Sequence, residues 1–304
     1  MKKKVLVLMG GISGEREISL LTGKACIRAL KRKKYAVYKL DPIGNFINKI
    51  KKIKPAAVLN ALHGRFGEDG YIQSILESEK LRYTHSGVVA SSIAIDKEIS
   101  KKIFLNNNIK TPKFILYDYS SSLKIIPSLK KSKINFPVVI KPINEGSSLG
   151  VYICTRKNLH KNLRKLKKYR RILIEEYIRG REIQVAVLNK TALGAIELRP
   201  KRIFYDYYAK YSKKAKTQHI MPAPLENRKY NEVLKIAKRA HALLGCRGIT
   251  RSDFRYYKKK FYLLEVNTQP GMTDLSLVPE IASYKGIAFE DLVEWMVKDA
   301  SNNR

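Results

Sequence analysis

The residues best suited to do chemistry lie between Arg251 and Leu277, in RSDFRYYKKKFYLLEVNTQPGMTDLSL. Asp253 precedes a Lys-rich turn, and the apolar run after it, FYLLEVN, has the composition of a strand. Glu265 and Asn267 stand two apart on that run, so a strand turns both to one face. A carboxylate beside a carboxamide, joined by a second carboxylate from a neighbouring strand, offers hard oxygen donors. Magnesium prefers that set and is held by a few carboxylates plus substrate phosphates. The alternative is a buried, hydrogen-bonded polar pair, although a Glu within Leu-Leu-Glu-Val is expensive to bury unpaired. The PGMT turn that follows adds clustered backbone N–H groups able to hold an anion.

Other candidates are spread along the chain. Lys141 ends an apolar run and is followed by EGSSLG (145–150). Glycine lets backbone N–H groups approach phosphates closely, and Ser147 and Ser148 add donors. Many hairpin turns are equally rich in Gly and Ser, and no GxxxxGK[ST] loop is present. Glu15 follows a strand-like run and Gly10-Gly11. It either compensates a helix dipole or points a carboxylate over the strand's carboxyl end, where open α/β sheets bind ligands. GGxSG is not a GxGxxG dinucleotide fingerprint, so NAD binding is not expected. His63, at the end of AAVLNAL, reads either as a structural hydrogen-bonding residue or as a ligand contact. Glu175, Glu176 and Glu182 flank a turn at Arg179-Gly180; they read either as ordinary surface charges or, beside a phosphate loop, as acceptors for an adenine amino group or ribose hydroxyls.

These residues require a scaffold of alternating strands and helices. KVLVLM (4–9), YAVYKL (35–40) and AAVLNAL (56–62) read as strands. Ser13 reads as the N-cap of a helix with Ile18, Leu21 and Ala25 in period; further helices fall near 45–53 and over YIQSILESEK. This alternation predicts a parallel sheet with helices on both faces. Beyond Ala94 the pattern changes: IDKEISKKIFLNNN is a helix, TPKFILYDY a strand and FPVVIKPINEGSSLGVYIC a hairpin. LHKNLRKLKKYRR (159–171) has Leu159, Leu163 and Leu166 at helical spacing, as an amphipathic helix with a basic face. RRILIEEYIRGREIQVAVLN predicts two strands. Residues 199–225 have no clean period and are rich in Tyr and Lys, which suits a lid or binding loop. A helix over NEVLKIAKRAHALLGC and one or two terminal helices packing Trp295 complete the chain.

With 304 residues, 44% hydrophobic, the chain can bury large cores in two or three domains. No apolar run approaches the roughly 18 residues of a membrane helix, and MKKKVLVLMGG lacks a leader's cleavage site. Three distant cysteines, Cys26, Cys154 and Cys246, form no metal spacing and point to a reducing compartment, the cytoplasm. The net charge of +35 keeps a basic nucleic-acid-binding protein open as a different class of function. The Lys and Arg residues are scattered rather than gathered, which favours a biased surface. Neither a specific nucleic acid nor a membrane is expected as a partner.

Eight stretches in chain order, GGISGEREISL, ALHGRFGEDG, DKEISKKIF, VIKPINEGSSLG, LIEEYIRGRE, FYDYYAKY, TRSDF and LLEVNTQPGMTDLSLVP, resemble the D-alanine:D-alanine ligase family of the ATP-grasp superfamily. The resemblance spans nearly the whole chain. It implies an α/β ATP-grasp fold of three α/β domains. Residues 1–93 would form an N-terminal parallel-sheet, Rossmann-like substrate domain. Residues 94–180 would be a central subdomain with the phosphate loop, and 181–304 a C-terminal subdomain with lid and metal site. The implied reaction joins two D-alanines through an acyl phosphate, for peptidoglycan precursors, with ATP and two magnesium ions, for which manganese can substitute. Another ATP-grasp carboxylate–amine ligase is the near alternative.

By the same resemblance, Asp253, Glu265 and Asn267 hold the metal ions. Lys97, Lys141 and Lys210 contact phosphates, with Ser147 and Ser148 in the loop that closes over them. Glu175 lies on the adenine side and Glu182 at the ribose. Glu15 binds the first D-alanine's ammonium and joins Ser147 and Tyr211 to hold the lid shut, with His63 nearby. Arg251 and the Gly271 N–H stabilise the oxyanion, and Ser276 and Leu277 receive the second carboxylate. A tyrosine at 211, in YAKY, implies a dipeptide product rather than a D-lactate ester. A homodimer is also implied.

Overall fold

The computed structural model describes residues 2–200, 217–273 and 275–303. Three sheets carry the molecule. The first contains β1 (Lys4–Leu8), β2 (Ala36–Leu40) and β3 (Ala57–Asn60), parallel and in the order β2-β1-β3. Strand alternation divides β1 between two cores. Val5 and Val7 pack with α1 (Arg16–Arg32), whereas Leu6 and Leu8 pack with α2 (Phe46–Ile53) and α3 (Tyr71–Ser78). The expected parallel sheet with helices on both faces is present.

The helix α1 differs in detail from expectation. Its N-cap position is Glu15 rather than Ser13. The Ser13 hydroxyl instead donates to the His63 carbonyl at 2.6 Å and accepts from the Glu15 N–H at 3.1 Å. The first turn is thereby tied to the end of β3, which matters more than capping because it fixes Glu15 beside His63. Leu21 is 51% exposed, since the buried stripe runs through Ile18, Thr22, Ala25 and Cys26.

The second sheet is antiparallel, β4-β7-β5-β6, from β4 (Phe114–Asp118), β5 (Val138–Pro142), β6 (Tyr152–Cys154) and β7 (Arg171–Glu176). It packs on α6 (Ile125–Lys131) and α7 (Leu159–Lys165). The helix expected over 159–171 ends at Lys165, and Leu166 is buried just beyond it.

The third sheet is antiparallel, in the order β10-β9-β8-β11-β12. It is built from β8 (Arg181–Leu188), β9 (Thr191–Arg199), β10 (Gln218–Ile220), β11 (Ile249–Tyr257) and β12 (Lys260–Asn267). The two strands flanking Arg179-Gly180 therefore lie in different sheets, and their turn is a junction rather than a hairpin. One face of the third sheet, with Ile183, Val185, Phe254, Leu263 and Val266, packs on α4 (Val88–Ile95), α5 (Lys97–Asn106) and α8 (Asn227–Leu243). The other face is apolar at Ala186, Leu198 and Ile249, where it meets the first sheet's core with α9 (Leu277–Tyr284) and α10 (Phe289–Asp299). Farther along β11 the same face becomes polar. No described helix is long and apolar enough to cross a membrane.

A buried pair on α8 and β11 gives the fold a pH dependence. The His241 Nδ1 lies 2.8 Å from the Thr250 hydroxyl, and burial pushes the imidazole down from 6.5 to about 4. An unfolded chain binds this proton at a higher pH than the folded one, so stability is full above 6.5 and falls as pH drops toward 4. The loss is about 3 kcal/mol. Urea titrations at pH 7 and 4.5 should show it, and His241→Asn should flatten that part of the acid limb. An equally steep limb in the variant would assign the loss to other groups.

Candidate active site

The chemistry-bearing strands, β11 and β12, pair Asp253 directly with Glu265 and Arg251 with Asn267. Simple alternation from Phe261 and Leu263, both core residues, would turn Glu265 and Asn267 inward. The register shifts between Asp253 and Phe254, whose partners are Glu265 and Leu263, leaving Leu264 as the extra residue of a bulge. The bulge reverses the phase, so Val266 enters the core while Glu265 and Asn267 join Asp253 on the polar face.

Cations face both carboxylates. Arg251 forks onto Asp253, with Nε to Oδ1 at 2.7 Å and a terminal nitrogen to Oδ2 at 3.0 Å. The Lys97 Nζ lies 3.2 Å from Glu265 Oε2 and donates to the Glu145 carbonyl at 2.7 Å. The Asn267 Oδ1 accepts from the Gln269 N–H at 2.9 Å. Among the described residues, no three His, Cys, Asp or Glu side chains converge to hold a metal by themselves. Two carboxylates and a carboxamide supply the hard oxygen donors that fit magnesium, which fills its remaining positions with water and phosphate oxygens.

Two cavities meet here. The first, about 70 Å³, is lined by Glu15, His63, Glu68, Ser147, Arg251, Asn267, Gly271, Ser276 and Leu277, among others. The second, about 90 Å³, is lined by Lys141, Ser148, Glu175, Tyr177, Ile178, Glu182, Asp253 and Leu264, among others. Lys97, Glu145 and Glu265 line both and form the wall between them.

In the first cavity, the Ser147 hydroxyl donates to the Glu15 carboxylate, bringing the Gly/Ser loop onto the start of α1. Gly146 permits that approach, because a Cβ there would stand 2.9 Å from Glu15 Oε1. Besides Gly150 (φ +70°), two serines of the loop are left-handed, Ser147 (φ +48°) and Ser148 (φ +60°), flanked by a Leu149 N–H to Gly146 carbonyl bond of 3.0 Å. Serine at two such positions is strained relative to glycine. His63 is buried between the Thr22 hydroxyl and Glu68, each at 3.0 Å. Gly271 and Ser276 lie at the N-terminal end of α9, where helix N–H groups favour an anion. The Ser276 hydroxyl is held by the Thr273 N–H at 2.9 Å.

The second cavity lies where the β7–β8 junction crosses from one sheet to the other. Glu182 pairs with Arg255 at 2.5 Å, and Glu175 is enclosed by Lys141 at 2.5 Å and Lys101 at 2.9 Å. Burial opposes ionisation of Glu175, but the two lysines outweigh it and hold its carboxyl below the ordinary value.

Comparison with known proteins fits this geometry. Residues 106–298 match the family described as D-ala D-ala ligase C-terminus. The chain is 57% identical over 304 residues to the D-alanine–D-alanine ligase of Pelagibacter ubique (strain HTCC1062), with all of both chains covered. The chain belongs to the D-alanine–D-alanine ligase family.

The D-alanine–D-alanine ligase of Wolbachia pipientis wMel is 46% identical, covering 99% of this chain and 95% of the relative. The crystal structure of D-alanine–D-alanine ligase from Bacillus anthracis superposes with a TM-score of 0.87 at 33% identity, over 98% and 97% of the two chains. The same enzyme complexed with ATP gives 0.85 at 29% identity, over the same shares. The fold is ATP-grasp, with the mixed α/β construction expected.

For this ligase-family chain, every expected site residue among the described ones lines one of the two cavities. Lys210 and Tyr211 lie outside the described residues. Sequence reasoning missed Lys101, Arg255 and Gln269. Lys101 stands one helical turn from Lys97, a visible spacing, but lysine is a surface residue by default. Gln269 is a buried link: it accepts from the Asn60 side chain at 2.8 Å and donates to the Leu62 carbonyl. It joins the end of β3 to the turn after β12.

Proposed function

We propose that the chain condenses two D-alanines to D-alanyl-D-alanine, using ATP, for peptidoglycan precursor synthesis. The observation that carries this is the wall of Lys97, Glu145 and Glu265 common to both cavities. A phosphoryl group must pass from a nucleotide to a carboxylate, and the two substrates can meet only at such a wall. The second cavity, with Lys97 and Lys141 at its phosphate end, Tyr177, Ile178 and Leu264 at its apolar end and Glu182 at the ribose, takes ATP. The first takes the amino acids.

Glu15 draws in the first D-alanine's ammonium, and the Ser147–Glu15 contact closes the loop over it, with Ser148 on the nucleotide side. His63 is held by Thr22 and Glu68 near the same substrate. An oxygen of the first carboxylate attacks the γ-phosphorus in line, giving an acyl phosphate and ADP. The second D-alanine's amine, deprotonated, attacks the acyl carbon; the tetrahedral adduct then expels phosphate and leaves the amide. Arg251 and the Gly271 N–H lie where the adduct's oxyanion develops, and such preorganised donors stabilise it. The start of α9, with Ser276 and Leu277, receives the second carboxylate.

Asp253, Glu265 and Asn267 would hold magnesium, two ions in our reading, or manganese on the same oxygen donors. Bound there, the metal would neutralise charge on the transferring phosphates. We further propose domains at 1–93, 94–180 and 181–304, a homodimer, and action in the cytoplasm, in keeping with three free buried cysteines.

ADP release by purified protein with ATP, magnesium and D-alanine, with mass detection of product, tests the reading; D-lactate and L-alanine run alongside. A dipeptide peak that requires D-alanine is the expected result. An ester formed with D-lactate in its place would overturn the product assignment and the reading of Tyr211.

A further inference from the structure

The most deeply buried cation beside the site is one the reaction does not touch. Lys101 is fully buried and lines neither cavity. Its Nζ lies 2.9 Å from Glu175 Oε2 and 2.5 Å from the Thr111 hydroxyl, above the Phe114 ring at 5.6 Å. The other Glu175 oxygen meets Lys141 at 2.5 Å. Two ammonium groups therefore share one buried carboxylate and leave a net positive charge next to the nucleotide cavity.

An ammonium without water is expensive, and a methionine would fill the same space without that penalty. The charge is explicable by what it does to Glu175. Without Lys101, Glu175 and Lys141 would close into a neutral pair, and phosphate could recruit Lys141 only by breaking it. We propose that Lys101 is a positioning residue for ATP: by sharing Glu175 it leaves the Lys141 ammonium directed at the nucleotide's phosphates. This rests on the second cavity being the nucleotide site.

The titration of Lys101 adds a second readout. Burial lowers its ammonium, against the pull of Glu175, from 10.5 to about 8. The charged groups facing it are Glu175 on β7, Lys141 on β5 and, farther off, Glu265 on β12. Above about 8 the shared arrangement becomes the closed pair, and ATP binding weakens.

A double-mutant cycle tests this, with Lys101→Met, Glu175→Gln and the double variant compared with wild type. The readouts are direct binding of a fluorescent ATP analogue, KM for ATP and for D-alanine, at pH 7 and 9. Lys101→Met should weaken analogue binding and raise the ATP KM at least tenfold, with the D-alanine KM changed less than twofold. In the Glu175→Gln background the same substitution should change ATP affinity less than twofold. Wild-type ATP affinity should fall between pH 7 and 9, and that of the double variant should not. Equal losses in both backgrounds, or a folded Lys101→Met with unchanged ATP affinity, would overturn the proposal. If Lys101→Met does not fold, the double variant decides: affinity equal to Glu175→Gln supports the proposal, and a tenfold deficit against it overturns it. Wild type that binds the analogue but makes no dipeptide would remove the substrate assignment alone, because nucleotide binding is read separately.

Discussion

Glu265→Gln should lower kcat by roughly two to three orders of magnitude, or about 3 to 4 kcal/mol of transition-state stabilisation, with little loss of fold. Glu265 lines both cavities and stands directly across from Asp253 on β11. A glutamine keeps an oxygen for the Lys97 ammonium 3.2 Å away but removes the charge. The neutral side chain is a far poorer partner for a divalent cation, so the deficit should appear in kcat and in the magnesium concentration giving half-maximal rate. The D-alanine KM should move much less. Turnover within a fewfold of wild type, in protein with an unchanged melting temperature, would remove Glu265 from the phosphoryl-transfer machinery.

Arg251→Lys should cost about 10²–10³ in kcat, the range found when one oxyanion donor is lost. Lysine preserves the charge beside Asp253, so the buried carboxylate is not left alone, but it lacks the two-pronged contact that fixes the guanidinium. The defect should fall on amide formation. ATP affinity should change less than threefold, and acyl-phosphate formation, followed by positional isotope scrambling in ATP, should persist. Loss of ATP affinity with kcat preserved would place Arg251 on the nucleotide side.

Much of the fold was legible because its signals are local. The apolar runs KVLVLM and AAVLNAL, alternating with helical segments, gave the parallel sheet, and Asp96 before the α5 helix is a cap that accepts from the Glu98 and Ile99 N–H groups. The helix over Val88–Ile95 was not read, since VVASSIAI has no polar face to mark a helical period. The pair Glu265 and Asn267 was legible as two residues on one face, but not the reason they escape the core. That reason is the bulge at Leu264, and no glycine in LLEV marks it. Glu175 and Glu182 read as neighbours around one turn, whereas their strands belong to different sheets because β7 pairs with β4 and β5 and β8 with β9 and β11. Strand partners at long range are not written in local pattern. The ion pairs of Lys101 and Arg255 were invisible for the same reason, since each depends on a carboxylate brought from another strand.

The core beneath the first sheet is shared between the two ends of the chain. Val5, Val7 and Leu59 pack with Leu292, Val293 and Met296, and the Ser301 N–H closes on the Tyr83 carbonyl at 3.3 Å. During synthesis, the first sheet and α1 emerge long before α10, the helix that completes their cover. At ribosomal rates the intervening segment of some 200 residues takes about 10–40 s, and for that interval α1 alone covers the Val5–Val7 face of the sheet. The nascent chain thus carries a half-covered apolar face that its final helix completes, so a premature stop upstream of Phe289 releases a sticky product and not merely an inactive one.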